Sequence, residues 1–507
     1  MRTKNSIINI SFGIGSQILS MLVNFISRTI FIYFLGVNYL GVNGLFSNIL
    51  SMLSLAELGV GSAIVYNMYK PLAENDINKL KSLMKLYKRA YNLIGGIIGI
   101  VGLAISPFLN IIIKDKPNIP NLTLIYILFL LNSVISYFFV YKSSLIIADQ
   151  KNYIVTIQTQ KFALIQAIIQ IIVLFFTKNY ILYLSVQIIC SFTLNLSLSK
   201  KADKLYPFLK DKNVKNLDYK SKKEIFKHVI AMMSHKVGTV VVNGTDNLLI
   251  SSFIGVFWVG LYSNYVMVIG LINRFASQVF TAITASVGNL NTDRNMEKSY
   301  SIYKKILFIN FWLYGIFTII LLVLFNPFIE VWVGEDFLLS NKIVFIIILN
   351  FHFMGMREST LLFNNTLGLF WNDRYKPWIE ALINLVISII LLRNYGLIGV
   401  FLGTLISTVT VPLWVDPYIL FKYGFNKKLS LYFKTYLKYM FITIITGAIT
   451  YYIVDKIEGS GLNILIIKGS VALIIINILF IISSFKTEEF IYFRNLITES
   501  IKKIIKK

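Results

Sequence analysis

The amino-acid sequence predicts an all-α polytopic membrane protein of about 14 transmembrane helices, arranged as two parallel-related six-helix bundles plus two C-terminal helices. Three observations carry that expectation. Hydrophobic residues make up 56% of the chain and charged residues only 14%, against about 25% charged in soluble domains. The apolar residues gather into stretches that reach the roughly 20 residues needed to cross a hydrocarbon core. Distinctive short segments recur at a nearly constant spacing.

In chain order, the first bundle (1–200) holds expected spans at 6–35, 40–68, 88–113, 121–147, 153–176 and 180–199. A basic linker, 201–227, follows. The second bundle (228–422) holds spans at 228–254, 257–284, 302–326, 341–369, 375–392 and 397–420. Two additional spans, 430–453 and 462–484, occupy 423–484, and an amphipathic tail covers 485–507. Helices are expected because isolated strands cannot satisfy their backbone in lipid, and these runs are too long and uniformly apolar for barrel strands. The first run is too long for a signal peptide and lacks a cleavage site, so it reads as retained. Cys190, the single cysteine, lies within span six, which excludes an intrachain disulfide and suits a small apolar packing residue.

The repeat signal sets the architecture. "FLGVNYLG" (Phe34 to Gly41) returns as "FIGVFWVG" (Phe253 to Gly260), 219 residues later. "SPFLNIIIKD" (Ser106 to Asp115) is echoed by "NPFIEVWVGED" (Asn326 to Asp336) at an offset of 220, and "LYKR" and "TKNY" return as "IYKK" and "LRNY". Six spans per half is an even number, so both halves start on the same side of the membrane. They should be related by an axis along the membrane normal, with a working site between them.

A formal charge of +25 raises the question of nucleic acid, and its placement answers it. With the N-terminus placed inside, most of the 49 lysines and arginines fall in cytoplasmic breaks, ten of the lysines between Lys200 and Lys227. That asymmetry puts both termini in the cytoplasm and makes the partner an anionic lipid bilayer, with no nucleic acid required. Asn75 to Arg89 and Phe490 to Ile505 are amphipathic and read as helices lying on the inner leaflet. Pro107, Pro327 and Pro412 read as helix terminators, and Gly95 with Gly99 as a packing motif. No cofactor or metal is expected, since His228, His235 and His352 are scattered and no cysteine cluster accompanies them.

Ionisable groups inside spans are costly and usually face protein or a wet cavity. Those that stand out are Arg28, Glu57, Lys236, Asp246, Arg274, Arg357, Glu358 and Glu380. Asn24 and Arg28 share one helical face. Their repeat positions are Asn243 and Asn247, with Asp246 in place of Ser27, so spans one and seven carry matching polar stripes. Arg28, Arg274 and Lys236 are expected to bind a phosphate-bearing substrate through forked or point-charge contacts, the alternatives being an ion pair of Arg274 with Glu57 or Asp246 and a reach of Lys236 to the cytoplasmic surface. Asn24, Asn243 and Asn247 supply neutral cavity polarity, and Glu57, Asp246 and Glu380 are candidates either for proton or sodium coupling or for neutralising an arginine. Arg357 and Glu358, adjacent on a helix and about 100° apart, read as structural pairs to neighbouring helices.

The paired halves, the "FLGVNYLG" join, "LFSNILSMLSLAELGVGSAI" (Leu45 to Ile64) and the two extra spans resemble the polysaccharide-transport branch of the multidrug/oligosaccharidyl-lipid/polysaccharide exporter superfamily, and the Wzx-like repeat-unit flippases in particular. The resemblance covers nearly the whole chain. It implies a transporter rather than an enzyme, one that carries undecaprenyl-diphosphate-linked oligosaccharide from inner to outer leaflet by alternating access, for capsule, exopolysaccharide or O-antigen-type glycans. It also implies the bacterial cytoplasmic membrane, and a polysaccharide polymerase as a candidate partner. In the related lipid II flippases, arginines of spans one and eight line a cationic cavity, and Arg28 and Arg274 fall in the matching spans. A third arginine of that site, in span two, has no counterpart here, where Glu57 stands alone, and Ser27 and Thr29 flank Arg28. Two rivals remain: a cation-coupled multidrug antiporter of the same superfamily, and an integral-membrane polysaccharide polymerase.

Overall fold

The computed structural model describes residues 2–507 except 58–59, 115–116, 118, 212–213, 220, 224, 227–228, 230–243, 293–294, 370–371 and 506–507. The described chain is nearly all helix, and it divides into two compact units, Met1–Ser263 and Asn264–Lys507.

In the first unit, α1 (Arg2–Leu53) bends at Gly36, whose φ of 80° only glycine adopts without strain, leaving helical stretches 2–35 and 37–53. A 3₁₀ turn, Ser54–Glu57, precedes α2 (Val60–Glu74). Asn75 turns the chain, and Asp76 caps α3 (Ile77–Ile105) by accepting from the Lys79 amide. Then come α4 (Leu109–Ile112), α5 (Leu122–Tyr137), α6 (Val140–Ala148), α7 (Asn152–Thr177) and α8 (Tyr180–Leu205). The α5 and α6 helices meet at a bend of 46° and together are long and apolar enough for one span. Residues 244–253 form α9, which stops at Gly255, φ 138°, before α10 (Val256–Thr292). Gly36 and Gly255 hold the same place in the repeated motif, and both turn the chain there.

The second unit contains the rest of α10, then α11 (Met296–Val333), α12 (Asn341–Met356), α13 (Glu358–Thr366), α14 (Lys376–Tyr395), α15 (Leu397–Thr410), α16 (Pro412–Ile419), α17 (Ser430–Asp455), α18 (Leu462–Ser484) and α19 (Glu488–Ile505). Its core gathers around α11, with Tyr303, Phe311, Tyr314 and Phe325 almost fully buried.

Among the described residues eleven helices are long and apolar enough to cross a membrane, or twelve with the bent α5–α6 pair as one. Of the fourteen expected spans, the first two share α1, which bends at Gly36, and most of expected span seven lies outside the described residues.

Three expectations change. Asn75 to Arg89 is not a separate surface helix. Its apolar residues Leu80, Met84 and Tyr87 are buried within the unit, as the opening turns of the 29-residue α3. At about 1.5 Å per residue, α3 is roughly 44 Å long and overshoots a roughly 30 Å hydrocarbon core, so an amphipathic start on a transmembrane helix mimics an interfacial one. Pro327 lies inside α11 rather than at its end. In the tail, the apolar face of α19 meets protein: Phe493 stacks on Phe308 at 6.2 Å, Phe490 on Trp312 at 6.1 Å, and Lys305 lies 3.7 Å over the Tyr492 ring.

Candidate functional site

The first unit builds its polar interior around a crossing of the two repeat motifs. A Cβ on Gly41 would collide with the Val256 carbonyl, and a Cβ on Gly260 with the Val37 carbonyl. Gly41 and Gly260 correspond in the repeat, as do Val37 and Val256. Each motif therefore offers its glycine to the other's backbone, and the crossing is symmetric. Only a residue without a side chain lets two helices approach so closely.

Arg28 lies eight residues before Gly36, about 12 Å along α1. Its Nη2 donates to Ser263 Oγ at 2.5 Å, while that hydroxyl donates to the Gly260 carbonyl at 2.7 Å. The guanidinium is thus tied to the α10 turn that makes the crossing. Tyr180 and Tyr183, from the first turn of α8, lie within its electrostatic reach. Both rings pack on Phe31, at 5.6 and 5.4 Å, and on each other at 5.9 Å. Arg28 thus sits beside the Ser263 hydroxyl and two tyrosines.

Asn24, one turn before Arg28, is exposed. In α9, Asp246 is buried beside Tyr262, and the Oδ1 of Asn247 is buried with no hydrogen-bond partner among the described residues. Lys236 and Asn243 lie outside the described residues. Glu57 occupies the 3₁₀ turn that interrupts span two. It accepts a hydrogen bond from the Tyr91 hydroxyl at 2.7 Å, and Tyr137 is within hydrogen-bonding reach. Among the described residues no lysine or arginine of the unit pairs with Glu57. It is a carboxylate held by phenols, a role the sequence leaves open between arginine neutralisation and coupling.

Arg274 belongs to the second unit and differs from Arg28 in every respect. It is exposed on α10, in a strip with Asn273, Ser277, Gln278 and Thr281, while Ala276 and Phe280 form the buried face. Within its unit, no described carboxylate lies within 4.0 Å of it. A polar strip of this length along an apolar helix is costly against lipid and inexpensive against water.

Glu380 is not an isolated acid. Its Oε1 lies 3.8 Å from Arg357 Nη1, in a buried network that the sequence reveals only in part. Arg357 Nε donates to Asp416 Oδ2 at 2.9 Å, Lys376 Nζ reaches Asp416 Oδ1, and Lys376 also meets Asp373 at 2.8 Å. Asn364 Nδ2 donates to the Asp416 carbonyl at 3.2 Å. Asp416 is wholly buried. The run of spans does not single out Lys376, Asp373 or Asp416, although the repeat contains a signal for the network. Lys142, which pairs with Asp203 at 2.7 Å in the first unit, stands 215 residues before Arg357, and Asp203 stands 213 before Asp416.

No family model matches the chain, and no curated protein matches it in sequence. Solved structures do. Lipid II flippase MurJ in an inward closed conformation is 18% identical, with a TM-score of 0.64, over 97% of this chain and 99% of that one. A multidrug resistance MATE family transporter of the MOP superfamily, inward-facing, is 14% identical with a TM-score of 0.64, over 80% of this chain and 96% of that one. A point mutant of the Vibrio cholerae MATE transporter VcmN is 15% identical with a TM-score of 0.54, over 84% of this chain and 99% of that one. The chain has the MurJ/MATE-like fold. At these identities the likeness extends to helix arrangement and leaves the cargo open. The MATE structures leave part of this chain unmatched, whereas the MurJ structure takes in nearly all of it.

Proposed function

We propose that the protein is a flippase for undecaprenyl-diphosphate-linked oligosaccharide, moving its cargo from the inner to the outer leaflet of a bacterial plasma membrane with both termini in the cytoplasm. The observation that carries this reading is the exposed strip around Arg274. A guanidinium on an exposed polar strip of an apolar helix fits an anionic head group that must cross without touching lipid, and its planar fork matches phosphate oxygens in pairs. Arg28, held by Ser263 among tyrosines, is the second proposed cation, and Lys236 a third. Asn24, Asn243 and Asn247 would hydrogen-bond the sugars. The proposed bodies are a first bundle (1–200) and a second (228–422), with the tail spans 423–484 against the polyprenyl chain. The near-complete match to the lipid II flippase fold supports this assignment over a shorter drug exporter. A polysaccharide polymerase is the proposed protein partner.

Arg28→Ala and Arg274→Ala should each abolish complementation of a capsule-deficient, flippase-null strain at unchanged protein level, with partial rescue by Lys at position 274. Full activity in both alanine variants sinks the reading.

One observation favours a second reading, a cation-coupled multidrug antiporter: the MATE fold is matched at the same TM-score. Glu57 and Asp246 would then be the coupling acids. Arginines that contact the cargo would repel cationic drugs, and a resistance assay in a pump-deficient host separates the two.

A further inference from the structure

The second unit contains a cavity of about 480 Å³ where the ends of α11, α12, α17 and α18 meet, well within the roughly 300–1,000 Å³ of ligand pockets. One wall is apolar, from Leu322, Phe345 and Ile348, and three charged groups face the same space: Glu330, Asp455 and Lys468. Lys468 is the single charged residue of α18, six residues in from its first, about 9 Å along the axis. Among the described residues, none of the three charges has a salt-bridge partner. Glu330 and Lys468 are half-buried and Asp455 is exposed, so all three remain accessible to a charged ligand.

The mouth of the cavity is rimmed by aromatic side chains that remain half exposed, Phe345 at 49% and Tyr451 at 47%. Its walls come from helices long and apolar enough to cross a membrane, so a lipid is an occupant of the right kind. Both charge signs are present and are kept apart, which disfavours a purely anionic or purely cationic ligand.

We propose that this cavity binds the head group of a zwitterionic aminophospholipid. The phosphate meets Lys468, the ammonium meets Glu330 and Asp455, and the acyl chains run along Leu322, Phe345 and Ile348. In the cytoplasmic-termini topology the site lies in the outer leaflet. It is independent of the transported cargo, and its failure leaves the flippase reading untouched.

The test uses the full-length purified protein, delipidated in mild detergent and offered phosphatidylethanolamine, phosphatidylcholine or phosphatidylglycerol, with retained lipid counted by native mass spectrometry. Wild type should hold one phosphatidylethanolamine about tenfold more tightly than phosphatidylglycerol. Lys468→Met, which keeps the side-chain volume, should lose the retained lipid. Glu330→Gln with Asp455→Asn should erase the preference over phosphatidylglycerol while still binding phosphate. Thermal melting of each variant checks that it is folded, and if Lys468→Met is not, the wild-type competition and the carboxamide variant decide. No preference in wild type, or an unchanged preference in the folded variants, overturns the proposal.

Discussion

Lys142 and Asp203 meet at 2.7 Å in the first unit, and Arg357 and Asp416 meet at 2.9 Å in the second. The two pairs stand at corresponding places in the repeat, yet their surroundings diverge. The first keeps 16% and 24% of its side chains exposed, the second 10% and 0%. Around the first, Asp149 pairs with Lys151 and accepts from the Tyr206 hydroxyl at 2.7 Å, and burial together with that carboxylate pushes the Tyr206 phenol up. Around the second, Lys376, Asp373 and Glu380 close a network of five charged side chains. Corresponding positions thus hold a partly exposed pair in one half and a sealed knot in the other. The difference concerns rigidity: water can replace a partner in the first pair, whereas in the second each lost partner strands a buried charge.

The largest expected effect is therefore at Asp416. Asp416→Ala leaves both Arg357 and Lys376 without their shared carboxylate, and breaking a buried pair from one side costs about 3–5 kcal/mol. The variant should lose most of its monodisperse protein in a thermal series followed by size-exclusion fluorescence. A wild-type melting curve would erase the contrast between the halves. Next in size are Gly41→Ala and Gly260→Ala, where the new Cβ strikes backbone rather than a movable side chain. Overpacking of this kind costs about 1–3 kcal/mol. Because the crossing is symmetric, the two variants should melt within a few degrees of each other. Unequal losses would mean that the halves have diverged at the crossing as well as at their ion pairs.

Much of this is legible in the sequence, and the omissions have a physical pattern. The helix-forming runs and the repeat follow from composition and spacing, and the turns at Gly36 and Gly255 follow from the motif itself. Sequence gives depth along a span but poorly fixes azimuth. Arg357 is readable as a cation needing a partner on another helix, yet Asp416, 59 residues away, sits before Pro417 near the end of its span, where an acid ordinarily meets water. Arg28 and Arg274 look equivalent as intramembrane cations, and only packing distinguishes the one bonded to Ser263 from the one on an exposed strip. Lys468 reads as one more residue in an apolar run, and only the cavity beside it sets it apart.

The smallest effect, and the sharpest measure of the comparison, lies at the first pair. Lys142→Ala and Asp203→Ala should each cost about 1 kcal/mol or less, because an ion pair with access to water returns little beyond what hydration supplies. A double-mutant cycle isolates the pair term from the packing of the long lysine stem, which Lys142→Ala removes and Asp203→Ala leaves in place. The coupling should shrink further as salt is raised, since a partly exposed pair is screened over about 10 Å at 0.1 M. The same cycle at Arg357 and Asp416 should show a coupling several times larger and nearly insensitive to salt. Equal couplings, or a salt-insensitive Lys142–Asp203 term, would mean that the first unit is sealed as tightly as the second and that the exposure of its side chains does not govern its stability.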